Sequence, residues 1–183
     1  KILGISGSLR AQSYNTALLK VAQSLVGDNI ELEIATLHGI PLYDGDLEQR
    51  EGIPAAVTAL KERILVNDGL LLSTPEYNNG IPGVFKNAID WLSRPGSDIP
   101  KLFGDRPVAV MGASPGGFGT ILSQNAWLPV LKTLGTRQWA GGRLMLSRAN
   151  KIIDQNGGIT DEVSLKLLSE FLQGFAGFVE HNK

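Results

Sequence analysis

Short apolar runs alternate along the chain with longer segments in which apolar residues recur every three or four positions. The short runs are typical of strands buried on both faces of a parallel sheet. They cover residues 1–6, 30–35, 70–74 and 107–113, with a weaker run at 138–146 that contains Gly141 and Gly142. The longer spacing is that of one buried helix face. It predicts helices over residues 15–26, 53–66, 84–92, 120–134 and 163–179.

Five strands that alternate with five helices predict an α/β fold in which helices cover both faces of a parallel sheet. The chain has neither an internal repeat nor a low-complexity linker, and its 183 residues predict a single domain over residues 1–183. Residues 36–52 contain several turn-forming residues and predict a long surface loop. Ligands of such sheets bind at the carboxyl ends of the strands, so we expect the site in the loops after strands one, three and four.

Composition and charge argue against several function classes. The 17 basic and 18 acidic residues give a net charge of -1 without a block of like charge, which disfavours nucleic acid or an anionic membrane surface as a partner. The absence of cysteine excludes disulfides, thiolate metal sites and a cysteine nucleophile. No apolar run reaches the ~18 residues of a membrane span, and no signal core precedes the first strand, so we expect a cytoplasmic location.

The loop after the first strand, residues 7–15, has a composition that suits a phosphate. The side chains of Ser8, Ser13 and Asn15 can donate hydrogen bonds to an anion at the start of a helix, and Arg10 adds a positive charge. The loop lacks a Walker lysine and the GxGxxG spacing, so it specifies neither a nucleoside triphosphate nor a Rossmann dinucleotide. The alternative is that Ser13 only caps the helix and Arg10 is solvated.

The loop after the third strand, residues 75–83, combines two prolines and two glycines with one aromatic residue and two amides. A flat heterocycle needs edge-on hydrogen-bond partners and a face to lie against, and this composition offers both. The alternative is a tight structural connection in which Tyr77 packs in the core.

Residues 113–120, after the fourth strand, are rich enough in glycine for the backbone to approach a ligand closely. Gly112, Ser114 and Gly116 also match the spacing of a hydrolase nucleophile elbow. The residue after that serine is Pro115, which lacks the N–H that the oxyanion hole of such an elbow requires. The only downstream histidine is close to the chain end, where fraying is expected, so a serine hydrolase is disfavoured.

His38 follows the second strand without further histidines or carboxylates at metal-ligand spacing. We expect this histidine to brace its loop or to lie at the surface. We therefore predict no metal site.

In chain order, the three loops resemble those of the NADPH-dependent FMN reductase family of flavodoxin-like proteins, especially its quinone and chromate reductase branch. Residues 7–15 are similar to the family's phosphate loop, residues 75–83 to its flavin-ring loop and residues 86–93 to the helix that follows. The resemblance implies a flavodoxin-like, doubly wound, five-stranded parallel sheet in the order 2-1-3-4-5. It also implies FMN as the cofactor and NADPH as the co-substrate.

The resemblance assigns roles to individual residues of the three loops. At the FMN phosphate it implies Ser8, Arg10, Ser13, Tyr14 and Asn15. Along the isoalloxazine ring it implies Pro75, Glu76, Tyr77, Asn78 and Gly80. At the other edge of the ring it implies Ser114 and Gly117. No catalytic side chain is predicted, because the flavin itself carries the chemistry.

The activity that the resemblance implies is hydride transfer from NADPH to FMN and on to a small-molecule electron acceptor. A quinone is the expected acceptor, with FMN, azo compounds, nitro compounds and chromate as others. One alternative is a flavodoxin-type electron carrier without hydride-transfer activity. The net charge of -1 favours an enzyme, because carriers meet their partners through strongly acidic surfaces. A further alternative is that FMN is a loosely held substrate that the enzyme releases.

Members of the family are homodimers or homotetramers, so the resemblance implies a homo-oligomer. Phe85 and Trp91 lie in the predicted helix after the flavin-ring loop. They are interpreted either as interface residues or as core residues of one subunit. Lys86 and Asp90, four positions apart on the same helix, predict a surface ion pair.

Overall fold

A parallel sheet forms the centre of the computed structural model, which describes residues 1–27 and 29–182. Within that part of the chain the strands are β1 (Ile2–Ser6), β2 (Leu32–Ala35), β3 (Gly69–Ser73), β4 (Pro107–Ala113), β5 (Arg137–Gln138) and β6 (Leu144–Leu146). The order is β2-β1-β3-β4, and both β5 and β6 pair with the outer side of β4. The predicted parallel order 2-1-3-4-5 is confirmed, with two short strands sharing the fifth position.

Helices cover both faces of the sheet, as predicted. They are α1 (Tyr14–Leu25), α2 (Gly45–Glu51), α3 (Ala55–Leu65), α4 (Gly83–Leu92), α5 (Ile99–Leu102), α6 (Ile121–Thr133), α7 (Ala149–Ile152) and α8 (Glu162–Glu180). Helices α1 and α8 pack on one face, and α3, α4 and α6 pack on the other. Every residue of the central strands β1 and β3 is buried, which explains their continuous apolar sequence.

The strand predicted over residues 138–146 is instead divided into β5 and β6. Between them the side chain of Trp139 packs against Phe171 and Phe175 of α8. A Cβ added to Gly141 or Gly142 would lie 2.5 or 2.9 Å from the Trp139 ring. The two glycines therefore make room for the indole, and the chain leaves the sheet after Trp139, whose N–H still donates to Val108 O at 2.8 Å.

The prediction of a continuous loop over residues 36–52 is wrong, because the last part of this segment forms α2. Asp44 caps this helix by accepting a hydrogen bond from the N–H of Asp46 at 2.9 Å. The helix buries none of its residues. Helix α2 therefore depends on its local cap, and its sequence lacks the buried apolar stripe from which a helix is predicted.

Phe85 and Trp91 are core residues of the single chain, fully buried within it. The ring of Phe85 packs edge-on against Trp127 of α6, with the ring centroids 4.8 Å apart. The interpretation of these two side chains as interface residues is therefore wrong. The ion pair between Lys86 and Asp90 is confirmed, with 2.7 Å between Nζ and Oδ1 and both side chains partly exposed.

The register of the strands brings their carboxyl ends to one edge of the sheet. Ser6 at the end of β1 pairs with Ser73 at the end of β3, and Ser73 in turn pairs with Met111 near the end of β4. The three loops that the sequence singles out thus start from neighbouring positions. Within residues 1–27 and 29–182, no helix combines the length and the hydropathy needed to span a membrane.

Candidate functional site

The loop after β1 leads directly into α1, and Ser13 is the residue that joins them. Its Oγ accepts a hydrogen bond from Thr16 N at 3.2 Å, so the interpretation of Ser13 as a helix cap is confirmed. The hydroxyl proton of Ser13 is still able to donate. The N–H groups of Tyr14 and Asn15, at the first two positions of α1, have no acceptor within the helix. The loop thus offers three donors near one helix end.

The side chain of Asn15 points into the protein rather than to solvent, with 2% of the residue exposed. Its Nδ2 donates to Ala113 O at 2.9 Å, and its Oδ1 accepts from Ala113 N at 3.0 Å. The hydroxyl of Ser73 donates to the same side-chain oxygen at 3.2 Å. Asn15 therefore joins the start of α1 to the ends of β3 and β4, and its backbone N–H is the group left for an anion.

An open cleft of about 300 Å³ lies beside the loop after β1, residues 7–15. Residues 10–14 and Lys20 line one side of it, and Asn150 and residues 153–157 line the other. The side chains of Arg10 and Lys20 make no hydrogen bond or ion pair with the described part of the chain, and both residues are exposed. This side of the sheet edge therefore carries two free cations.

The loop after β3 contains a tight two-residue hairpin. Tyr77 N donates to Gly80 O at 3.2 Å, and Gly80 N donates to Tyr77 O at 3.1 Å. The residues between them, Asn78 and Asn79, have positive φ angles of 50° and 63°, which asparagine tolerates better than most residues. Tyr77 is 44% exposed, so its interpretation as a core residue is wrong. Pro75 is buried at the base of the loop.

Glu76 lies between the end of β3 and this hairpin, and its carboxylate contacts helix α6. Oε2 of Glu76 accepts from Leu122 N at 2.8 Å and from Ser123 N at 3.0 Å. The loop after β3 is thereby bonded to the helix that follows the loop after β4.

The loop after β4 is held at its two ends and exposed between them. The hydroxyl of Ser114 donates to Gly119 O, and Ser114 N donates to Leu146 O at 3.0 Å. Residues 115–118 are exposed, and Phe118 at its tip is 85% exposed. A Cβ added to Gly117 would meet nothing within 4 Å, so this backbone borders open space.

A fourth segment at the same edge was not predicted from the sequence. It follows β6, where Arg148 N donates to Gly116 O at 2.9 Å and Ala149 N donates to Ser114 O at 3.0 Å. Arg148 adopts a left-handed conformation with φ 51°, which is uncommon for arginine. No residue type in the sequence signals this conformation, because arginine is not enriched at such positions.

The segment after β2 also reaches this edge, and two sets of hydrogen bonds hold it. Nε2 of His38 lies 3.1 Å from Leu9 O, and Nδ1 lies 3.2 Å from Thr36 Oγ1, which confirms His38 as a loop-bracing residue. Further along, Trp91 Nε1 donates to Pro41 O at 2.9 Å. Residues 38–41 are thus tied to the loop after β1 and to α4.

An ion pair between Glu48 of α2 and Arg94, which follows α4, holds the far end of the segment after β2. Nε of Arg94 donates to both carboxylate oxygens of Glu48, at 2.9 and 3.1 Å, and the hydroxyl of Tyr43 donates to Oε2 at 3.0 Å. The hydrogen bond from Arg94, more than that from Tyr43, holds the pKa of Glu48 below its ordinary value, against an opposing effect of burial. The bond to Glu48 raises the pKa of Tyr43.

Comparison with known proteins gives consistent matches over most of the chain. A model of the family described as NADPH-dependent FMN reductase matches residues 1–151. An NAD(P)H-dependent FMN reductase of Pseudomonas aeruginosa is 42% identical over 173 residues, covering 94% of this chain and 91% of that protein. A 2-hydroxy-1,4-benzoquinone reductase of a Burkholderia species is 34% identical over 183 residues, covering 100% and 98%. The solved structure of FerB, a flavoenzyme NAD(P)H:(acceptor) oxidoreductase from Paracoccus denitrificans, matches with a TM-score of 0.86 and 35% identity, over 99% of this chain and 97% of FerB.

Proposed function

The chain belongs to the NADPH-dependent FMN reductase family, and from this premise we propose that it passes hydride from NADPH through FMN to a quinone or a similar small acceptor. Two kinds of relative support the two halves of this proposal. One is named for the reduction of FMN and another for the reduction of 2-hydroxy-1,4-benzoquinone. The solved relative FerB is described by its use of NAD(P)H and an acceptor.

The observation that carries the proposal is that separate loops of the sequence are bonded into one surface. Asn15 joins the loop after β1 to the end of β4. Glu76 joins the loop after β3 to α6, directly beyond the loop after β4. Ligands of doubly wound sheets bind at this edge, so these bonds support a common site formed by all three loops.

The start of α1 has the donors that a flavin phosphate requires. Its donors are the backbone N–H groups of Tyr14 and Asn15 and the hydroxyls of Ser8 and Ser13. Ser8 is buried and its Oγ accepts from the backbone N–H of Arg10 at 3.3 Å, and the side chain of Arg10 lines the same cleft as Ser13 and Tyr14. A helix N-terminus with a nearby cation stabilises a dianion without a Walker lysine. We assign the phosphate of FMN to this loop, with Asn15 contributing its backbone and its side chain bracing the loop from below.

The other two loops provide what a flat ring needs. The exposed side chain of Tyr77 and the turn at Asn78 and Asn79 offer an aromatic face and fixed backbone polar groups. Across the site, the backbone at Gly117 borders open space, which allows close approach of a ligand. We assign the isoalloxazine ring to the space between these loops, with Pro75, Gly80 and Ser114 shaping its walls.

When bound, FMN supplies the hydride chemistry between NAD(P)H and the acceptor. The protein's part is to hold the ring and leave one face open to NAD(P)H and the acceptor. This division explains why the site needs no nucleophile. The serine-hydrolase alternative is also unsupported by geometry, because the hydroxyl of Ser114 donates to Gly119 O and the next residue, Pro115, has no N–H.

The reductase relatives decide between an enzyme and an electron carrier. The family model and both curated relatives are named for reductase activity, so the chain is an oxidoreductase rather than a flavodoxin-type carrier. We further propose a single FMN-binding domain over residues 1–183 and assembly into a homodimer or homotetramer. A cytoplasmic location stays a prediction.

An absorbance spectrum tests the proposal directly. The purified protein is mixed with FMN, desalted, and then treated with NADPH under anaerobic conditions. We expect the visible flavin band to be retained and to bleach within seconds, and to return when a benzoquinone is added. A retained band that NADPH leaves unchanged would overturn hydride transfer, and loss of all FMN on desalting would favour flavin as a released substrate.

A further inference from the structure

We propose that Glu76 is a positioning residue that fixes the distance between the two loops on either side of the flavin ring. The family resemblance places this carboxylate among the residues that line the ring, but in the structure it accepts hydrogen bonds from the start of α6. The proposal rests on the proposed function insofar as that function assigns the ring to this space.

Helix α6 lacks a cap from its own N-terminal residue. Thr120 stands at the N-cap position, but its side chain makes no capping bond, and its Oγ1 instead accepts from Gln124 Nε2 at 3.0 Å. Glu76 supplies the missing acceptor from 46 positions earlier in the chain. One oxygen, Oε2, accepts from both Leu122 N and Ser123 N. These two N–H groups belong to the first turn of α6, which has no acceptors within the helix.

The charge of Glu76 is suited to this position. The N-terminus of a 13-residue helix carries a partial positive charge, and a carboxylate there is stabilised by it. Glu76 forms no ion pair with the described residues, so the helix end is the group that balances its charge. A carboxylate bonded in this way is held as an acceptor at the start of α6.

Other contacts already bind the end of β3 to α6, and Glu76 extends them into the loop. Thr74 Oγ1 lies 2.9 Å from Ser123 Oγ and accepts from Trp127 Nε1 at 3.1 Å. These bonds involve Thr74, the residue directly after β3. Glu76 is the next polar side chain, and directly after it the hairpin of residues 77–80 begins.

The helix end is also the end of the glycine-rich loop after β4. Gly119, with φ 63°, and Thr120 lead from that loop into α6. Glu76 therefore connects the two sides of the ring site. Its side chain bonds to the first turn of α6, at the end of the loop after β4, and its backbone belongs to the loop after β3. Removing the carboxylate deprives both N–H groups of their acceptor within the protein and, among the described residues, leaves only the bonds of Thr74 between this segment and α6.

FMN affinity in two variants tests this role. In Glu76→Ala we expect FMN to bind roughly 10 to 100 times more weakly, on the scale of a lost charge-assisted hydrogen bond. Glu76→Gln keeps one side-chain oxygen and the length of the side chain, so we expect it to restore affinity to within roughly fivefold of the wild type. Equal losses in the two variants, or no loss in either, would overturn the positioning role.

A matched cap elsewhere in the fold serves as the control. Asp161 caps α8 by accepting from Ser164 N at 2.8 Å and from Ser164 Oγ at 2.6 Å, and it lies outside the three loops. Asp161→Ala should lower the urea midpoint to a similar extent as Glu76→Ala while leaving FMN affinity unchanged. If FMN affinity falls equally in both variants, general destabilisation accounts for the effect.

Amide hydrogen exchange of the FMN-free protein separates this inference from the proposed function. In Glu76→Ala the N–H groups of Leu122 and Ser123 should lose protection, and so should those of Tyr77 and Gly80 in the hairpin. Unchanged protection in the hairpin would contradict the coupling, whether or not the wild type retains FMN. Failure of the wild type to retain FMN, with the exchange result as expected, would count against the proposed function alone.

Discussion

Asn15 and Ala113 are joined by a pair of hydrogen bonds in which one side-chain amide satisfies both backbone groups of the other residue. Nδ2 of Asn15 donates to Ala113 O, and Oδ1 accepts from Ala113 N. The bonds connect α1 to the last residue of β4 across the end of β3. We expect Asn15→Ala to lower the free energy of unfolding by about 3 kcal/mol, because two buried backbone groups lose their partner. Urea unfolding followed by circular dichroism measures this change.

The exposed Asn125 provides the comparison for that substitution. Its Oδ1 accepts from Arg143 at the surface, at 3.1 Å. We expect Asn125→Ala to change the free energy of unfolding by less than about 0.5 kcal/mol, which is usual for surface positions. A similar small change in Asn15→Ala would mean that the bonds to Ala113 contribute little.

Arg10 supplies a free positive charge beside the start of α1, and its removal should weaken FMN binding. We expect Arg10→Ala to raise the FMN dissociation constant roughly 10 to 100 times, as for the loss of a charged hydrogen bond. Added salt should narrow the difference, because it screens the remaining attraction. Fluorescence titration measures both effects. Arg50→Ala removes a surface arginine that pairs with Glu51 and should leave the constant unchanged.

Gly112 in β4 has no room for a side chain, because an added Cβ would collide with Thr74 O and with the side chain of Thr120. We expect Gly112→Ala to destabilise the protein by about 1–3 kcal/mol, the usual cost of overpacking. FMN affinity should fall too, because Thr120 begins α6. Gly177→Ala in α8 meets nothing within 4 Å, so it should leave stability unchanged or raise it by up to about 1 kcal/mol. Thermal unfolding distinguishes the two outcomes.

The ion pair between Glu48 and Arg94 makes part of the free energy of unfolding depend on pH. Because the folded state lowers the pKa of Glu48, its contribution is complete above the unfolded value of about 4.3 and is lost as pH falls through the lower folded value. We expect Glu48→Gln to be less stable than the wild type at pH 7, with the difference shrinking below about pH 4. Urea midpoints across this range measure it. A constant gap would contradict the assignment. Glu51→Gln removes an exposed ion pair with Arg50 and should change the urea midpoint at pH 7 little.

Much of the architecture follows from sequence patterns that act locally. The apolar runs of β1, β3 and β4 identify buried strands, and the order of polar and glycine-rich loops identifies the edge where they end. The cap at Ser13 is likewise a local interaction, formed with Thr16 three positions later. Such features can be predicted because each depends on neighbours in the chain.

The bonds that assemble the site join distant residues and could not be predicted in the same way. The partner of Asn15 is 98 positions away, and the partners of Glu76 are 46 and 47 positions away. The resemblance to the FMN reductase family assigns both residues to contact with FMN. Only the fold reveals that Ala113 and the start of α6 lie within hydrogen-bonding distance. Arg148 was missed for a different reason, because its backbone conformation is imposed by the bonds on either side of it.

The interrupted outer strand has a consequence for how the molecule behaves at high concentration. An open sheet presents a row of unpaired backbone groups at its edge, and another chain can add a strand there. Here the edge consists of two short pieces, β5 and β6, separated by residues 139–143, where the chain turns inward with Trp139. Neither piece is long enough to template an incoming strand. The break that makes the sheet irregular therefore also protects this edge, though not the β2 edge, against the addition of a strand from another chain.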